Sequence, residues 1–187
     1  GEMPFEKLSY DEAFKRHTGQ RVLILETADL RVLAREKNIS APESLADDDR
    51  DGWLNILLSE LVEPNLGLTN PTFVYDYPAS QCALARIRED NPPVAERFEL
   101  YDRGIELCNG YHELTDADEL QQRTLSENDL RRAAGHIALP GAAQLEAAMR
   151  VGLPECSGVA LGLDRLIMLA LGKSRVDDVI AFPCDEA

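Results

Sequence analysis

The chain has 187 residues, 44% hydrophobic and 28% charged, which is ordinary for a globular domain with its own core. A net charge of −15 argues against a large nucleic-acid footprint, because phosphate binding needs a Lys/Arg surface. No apolar run approaches the roughly 20 residues of a membrane span, and Gly1-Glu2-Met3-Pro4 lacks the regions of a signal peptide, so no membrane partner and a cytoplasmic location are expected.

In chain order, residues 5–17 read as a helix that Ser9 caps, with Leu8, Ala13 and Phe14 apolar. Thr27–Ile39 carries a helical stripe of Leu30, Leu33, Ala34 and Ile39, broken by Ser40-Ala41-Pro42. Asp47-Asp48-Asp49 suits the positive end of the next helix. That helix presents Trp53, Leu54, Leu57, Leu58, Leu61 and Val62 as core and stops at Pro64. A short strand, Thr72–Tyr75, precedes Pro78, and Ser80 starts a short helix through Ala85. The 97–113 stretch is strand-rich. Residues 115–134 form a polar helix with Thr115 as cap and Asp118 as its partner. Another helix, 142–150, ends at Gly152 and Pro154. A strand at 157–162 leads into a helix from Leu163 to about Leu171, with Gly172 as C-cap, and 179–183 closes the chain as an extended piece. Strands among helices without a βαβ rhythm predict an α+β fold, an antiparallel sheet flanked by helices.

Cys82, Cys108, Cys156 and Cys184 stand far apart without a CxxC pair, and His17, His112 and His136 are scattered. Neither a zinc site nor a disulfide framework is expected. Chemistry concentrates in two other stretches. In the first, a tight turn at Asp102-Arg103 pairs Leu100 with Ile105 and Glu99 with Glu106, placing Phe98, Leu100, Ile105 and Leu107 on one face. Two carboxylates then oppose each other and repel. A shared proton, an arginine or a hard cation such as Mg²⁺ offsets this, unless both simply face water. Asn109, Tyr111 and Glu113 do not share the parity of Glu106, and a bulge near Cys108–Gly110 repairs this. In the second stretch, Gly158-x-x-x-Gly162 permits close approach of a ligand or backbone, and Arg165 opens a helix where an anion could sit. Taken alone, this stretch is better explained by plain strand–helix packing, with Asp164 as a helix cap and Arg165 exposed.

Arg97-Phe98-Glu99-Leu100, Gly104-Ile105-Glu106-Leu107-Cys108-Asn109-Gly110-Tyr111-His112-Glu113-Leu114-Thr115-Asp116 and Gly158-Val159-Ala160-Leu161-Gly162-Leu163-Asp164-Arg165-Leu166 together resemble the C-terminal half of a class II lysyl-tRNA synthetase core. The last, 158–166, resembles motif 3. Pro71-Thr72-Phe73-Val74, Tyr77-Pro78-Ala79-Ser80-Gln81 and Cys156–Gly162 are similar to the paralogous family that ligates lysine, preferably β-lysine, onto elongation factor P. The resemblance implies a partial class II catalytic domain over 1–187. It implies that Glu99 and Glu106 carry Mg²⁺ on ATP, that Glu106, Leu107 and Gly162 lie against ATP, and that Arg165 holds the γ-phosphate during catalysis. It also implies that Asn109, Tyr111, Glu113 and Ala160 line the amino-acid pocket. Lysyl-tRNA synthetases carry glycine at the position of Ala160, and the methyl group is expected to favour the β-amino acid. Motif 1, the homodimer interface of the full-length family, and motif 2, whose arginine binds the α-phosphate, find no match, so these residues alone are not expected to form adenylate. Two readings compete: the same part of a synthetase charging tRNA-Lys, and a non-catalytic truncated paralogue kept as a binding module.

Overall fold

The computed structural model describes residues 4–183. Six strands form one sheet in the order β1-β2-β4-β5-β6, with β3 pairing to β4. The strands are β1 (Glu6–Ser9), β2 (Thr72–Pro78), β3 (Ile87–Arg88), β4 (Val94–Asp102), β5 (Ile105–His112) and β6 (Ser157–Leu161). All neighbours are antiparallel except β1 and β2. The helices are α1 (Tyr10–Thr18), α2 (Thr27–Glu36), α3 (Arg50–Leu57), α4 (Ala117–Ala133), α5 (Ala143–Gly152) and α6 (Leu163–Ala170). The α+β sheet with flanking helices is as expected.

Local chemistry sets the boundaries and corrects several expectations. Residues 6–9 are a strand, not the start of a helix, because Leu8 pairs with Val74 in parallel register. Ser9 does cap α1, in a reciprocal box with Glu12. Asp116, not Thr115, caps α4: its side chain accepts from the amides of Asp118 and Glu119. The helix expected over 80–85 is a single 3-10 turn, Ala79–Gln81, and Ala83 has a φ of 48° that no helix accommodates. β2 outlasts Tyr75 because an extra residue on β4, where Glu96 and Arg97 together oppose Asp76, absorbs a register shift and carries Tyr77 into line with Ala95. α2 ends at Glu36 rather than Ile39, and 179–183 runs through turn and bends rather than a strand. Cys184 lies outside the described residues.

The decisive correction is the β4–β5 register. Arg103 and Gly104, at φ 52° and 73°, form the two-residue turn, so Asp102 opposes Ile105 and Tyr101 opposes Glu106. Leu107 is then left over as a bulge, after which Leu100 opposes Cys108, Glu99 opposes Asn109 and Arg97 opposes Tyr111. The expected Glu99–Glu106 pairing is therefore overturned, although both glutamates share a face. The parity-repairing bulge exists, one residue before the expected stretch.

Opposed residues share a face, so one side of the sheet carries Val74, Tyr77, Arg97, Glu99, Tyr101, Glu106, Asn109, Tyr111, Gly158 and Ala160. We call it the cleft face. Its β1–β2 end is roofed by the main core, where Tyr10 and Phe14 of α1, Leu30 of α2 and Leu54 of α3 are wholly buried with Val74 and Tyr77. On the opposite face Met168 and Leu169 of α6 pack against Leu107, Leu100 and Ile105. Three of the four apolar hairpin residues thus cluster as expected, through a different register.

Candidate active site

Glu99 is 6% exposed, yet no lone charge is buried there. Its Oε2 accepts from the hydroxyls of Tyr77 at 2.6 Å and Tyr101 at 2.5 Å, and its Oε1 accepts from Nη2 of Arg97 at 2.5 Å. Charge-assisted bonds of this kind are what make a buried carboxylate tolerable. Burial pushes the Tyr77 and Tyr101 hydroxyls well above the ordinary tyrosine range, so both remain donors. The Tyr101 oxygen also lies 3.0 Å from Glu63, whose carboxyl is pushed up by burial and by the charges of Glu99 and Glu106.

Arg97 spreads one guanidinium over three neighbours. Besides Glu99, its Nη1 donates to the Gln81 carbonyl at 3.2 Å and its Nε donates to Asn109 Oδ1 at 3.3 Å. The guanidinium carbon stands 4.4 Å from the centre of the Tyr77 ring. Arg97, Tyr77, Tyr101 and Glu63 were not singled out from the sequence. Arg97 and Tyr101 were within reach, since they alternate with Glu99 along one strand. Tyr77 lies in a stretch that carries the resemblance but was given no role there, and Glu63 comes from a distant segment with no local signal.

Glu106 is held differently. Its side chain is 38% exposed and pairs with Arg165, whose Nη1 donates to Glu106 Oε2 at 3.2 Å and to its backbone carbonyl at 2.8 Å. The bulge supports this contact: the Gly162 amide donates to the Leu107 carbonyl at 2.8 Å, locking the entry of α6 onto β5. Arginines, one per glutamate, thus offset the expected carboxylate repulsion. A cleft of 680 Å³, in the size range of small-molecule sites, opens between the sheet and the helical run that begins with α3, lined by Arg97, Glu99 and Glu106 from the strands and by Asn55, Ser59 and Glu63 from the helical run. Asn109, Tyr111 and Ala160 continue along the same sheet face. Glu113 joins them: an ideal Cβ on Gly158 meets its Oε1 at 2.4 Å, so the carboxylate occupies the space a side chain at 158 would fill. Glu99, Glu106, Asn109, Tyr111 and Ala160 thus share one face, with Glu113, Gly162 and Arg165 at its rim, whereas Leu107, expected against ATP, turns its side chain to the opposite face and is buried against Met168 and Leu169 of α6.

Residues 2–186 match the family described as tRNA synthetases class II (D, K and N). This chain belongs to that family. Similar relatives within the class II group include proteins named elongation factor P–(R)-beta-lysine ligase from Salmonella arizonae, Salmonella dublin and Salmonella paratyphi B. Each is 49% identical over 186 residues. The match covers 98% of this chain and 56% of each relative, so the chain spans little more than half of their length.

Class II synthetases use ATP with a divalent metal. Among the described residues, no group of three or more His, Cys, Asp or Glu forms a metal cage. The donors at hand are oxygens from Glu99 and Glu106 at one cleft. This fits Mg²⁺, which takes one or two carboxylates and completes its shell with phosphate and water. Glu99 already accepts three hydrogen bonds, so Glu106 is the more open of the two.

Proposed function

We propose that this chain is the C-terminal part of an ATP-dependent ligase that activates lysine or β-lysine and passes it to a lysine of elongation factor P. The observation that carries the reading is the Leu107 bulge, which brings Glu99, Glu106, Asn109 and Tyr111 to one face beside Ala160 and Glu113, with Arg165 at the rim. The names and 49% identity of the relatives support the substrates. In this reading motif 3 spans 158–166, and the homodimer interface and the α-phosphate arginine belong to the rest of the protein.

A carboxylate oxygen of the amino acid attacks the α-phosphorus of ATP. The bond to the bridging oxygen breaks, and pyrophosphate leaves with the electron pair. The amine of the acceptor lysine then attacks the acyl carbon, displacing AMP and losing a proton. Mg²⁺, when bound, neutralises phosphate charge. Arg165 stabilises the terminal phosphate, Glu113 receives an ammonium, and Tyr111 walls the amino acid. The rigid sheet holds these groups in register, so the protein's part is positioning and charge stabilisation.

Pyrophosphate exchange with lysine and with β-lysine tests the reading. The whole protein is expected to exchange, with β-lysine preferred, and residues 1–187 alone are not. Robust exchange by the 187 residues overturns the expected dependence on the rest of the protein. Transfer of labelled β-lysine to tRNA-Lys but not to elongation factor P overturns the acceptor.

A further inference from the structure

We propose that Arg97 is a positioning residue: it fixes the side-chain amide of Asn109 so that the NH₂ group, not the carbonyl, faces the carboxylate of the amino acid. The inference rests on the functional reading above and deepens it. Arginine has five N–H donors and no acceptor. Its Nε donates to Asn109 Oδ1 at 3.3 Å, so the amide oxygen is turned toward β4 and Nδ2 is left for the pocket. The guanidinium cannot accept from a flipped amide, and its other partners keep it from swinging clear of one. Nη2 is bound to Glu99, Nη1 to the Gln81 carbonyl, and the plane rests against Tyr77. Asn109 lies opposite Glu99 on one side and Ala160 on the other, at the end of the pocket nearer the two glutamates.

The consequence is a direction for the substrate. A pair of N–H donors at Asn109 matches a carboxylate. Glu113, farther along the sheet and over Gly158, matches an ammonium. The amino acid lies along β5 with its carboxylate toward Glu99 and Glu106, where activation takes place, and its far ammonium at Glu113. Without the Arg97 donor, the Asn109 amide is free to present its oxygen, which repels a carboxylate.

The test uses Arg97→Lys in the whole protein. Lysine keeps a charge beside Glu99, but its single ammonium lacks the planar fork that reaches Glu99 and Asn109 together. Calorimetry then compares lysine with 1,5-diaminopentane, the same molecule without its carboxylate. The preference for lysine over the diamine is expected to fall about tenfold or more, with diamine affinity unchanged. An Arg97→Lys protein with wild-type melting temperature and an intact preference overturns the proposal. Asn109→Asp, which offers the pocket no donor but still accepts from Arg97, is expected to lose the same preference. Its retention overturns the proposal even if Arg97→Lys fails to fold. Wild-type protein that binds neither lysine nor β-lysine overturns the functional reading itself, and is told apart because the failure precedes any substitution.

Discussion

Two glycines on adjoining strands make opposite predictions when each becomes alanine. At Gly158 the new methyl meets Glu113 Oε1 at 2.4 Å and the carboxyl carbon at 3.5 Å, with nothing else within 4 Å. The obstacle is the tip of a flexible side chain, which must retreat by about 1 Å to reach ordinary contact distance. An off-rotamer glutamate costs about 0.5–1.5 kcal/mol, and the lost backbone freedom of the unfolded glycine returns about 0.4–1 kcal/mol. Net stability should therefore change by less than about 1 kcal/mol. Amino-acid affinity should not survive so well. Displacing a carboxylate from an ammonium forfeits a charge-assisted contact of about 1.5–3 kcal/mol, or about tenfold or more in Kd. At Gly110 the methyl meets the Phe98 ring at 2.4 and 2.7 Å and the Gly158 carbonyl oxygen at 2.8 Å. A ring and a backbone atom of the neighbouring strand cannot both yield, so Gly110→Ala should destabilise by about 1–3 kcal/mol or more. Urea midpoints of the two variants, with lysine and β-lysine titrations of Gly158→Ala, separate the cases. If Gly158→Ala costs as much stability as Gly110→Ala, or binds the amino acid like wild type, the assignment of Gly158 as the seat of Glu113 is refuted.

Tyr10 is wholly buried, and among the described residues its hydroxyl has no hydrogen-bond partner. Tyr10→Phe is therefore expected to leave stability unchanged or raise it by about 1 kcal/mol, whereas Tyr77→Phe, which removes a donor from Glu99, should lower it; a melting temperature that drops more for Tyr10→Phe contradicts the account. Glu96 accepts from Arg86 at 2.6 Å, and that bond, with further help from the His112 and Arg88 charges, holds its carboxyl below the ordinary 4.5. A depressed folded value means the stabilisation is present above the unfolded value and lost as pH falls through the folded one. Arg86→Gln should accordingly lower the urea midpoint at about pH 7 and lose most of its effect at about pH 3; an equal deficit at both assigns Arg86 a packing role only.

Much of this was legible in the sequence because the motifs are local. Ser9 as a cap, the acidic residues before Arg50 and the glycines within and just after β6 each announce themselves within a few positions. The hairpin register was not legible. Matching Leu100 to Ile105 by apolar face gave the correct sidedness, since both do pack with Leu107 and α6. It gave the wrong partners, because a turn at Arg103-Gly104 followed by one extra residue reaches the same sidedness by another path. Alternation counts faces and not insertions, so a bulge shows only as residues whose parity refuses to agree, as Glu106 and Asn109 do. The Glu99 hydrogen bonds were hidden for a different reason. Tyr77 stands 22 positions away, and only the β2–β4 pairing, with its own extra residue on β4 opposite Asp76, brings the hydroxyl into place.

The pair between Glu106 and Arg165 gives the site a simple logic. Each ion already has its partner, and both are exposed enough that the pair is worth only about 0–1 kcal/mol. An anion alone, taking Arg165, strands Glu106. A cation alone, taking Glu106, strands Arg165. A ligand bearing both charges in one body re-partners the two at once and leaves no ion bare. On the proposed reading of Glu106 and Arg165, the cleft would thereby discriminate against free phosphate and free metal by conserving its own charge balance, and would answer in full only to the two arriving joined.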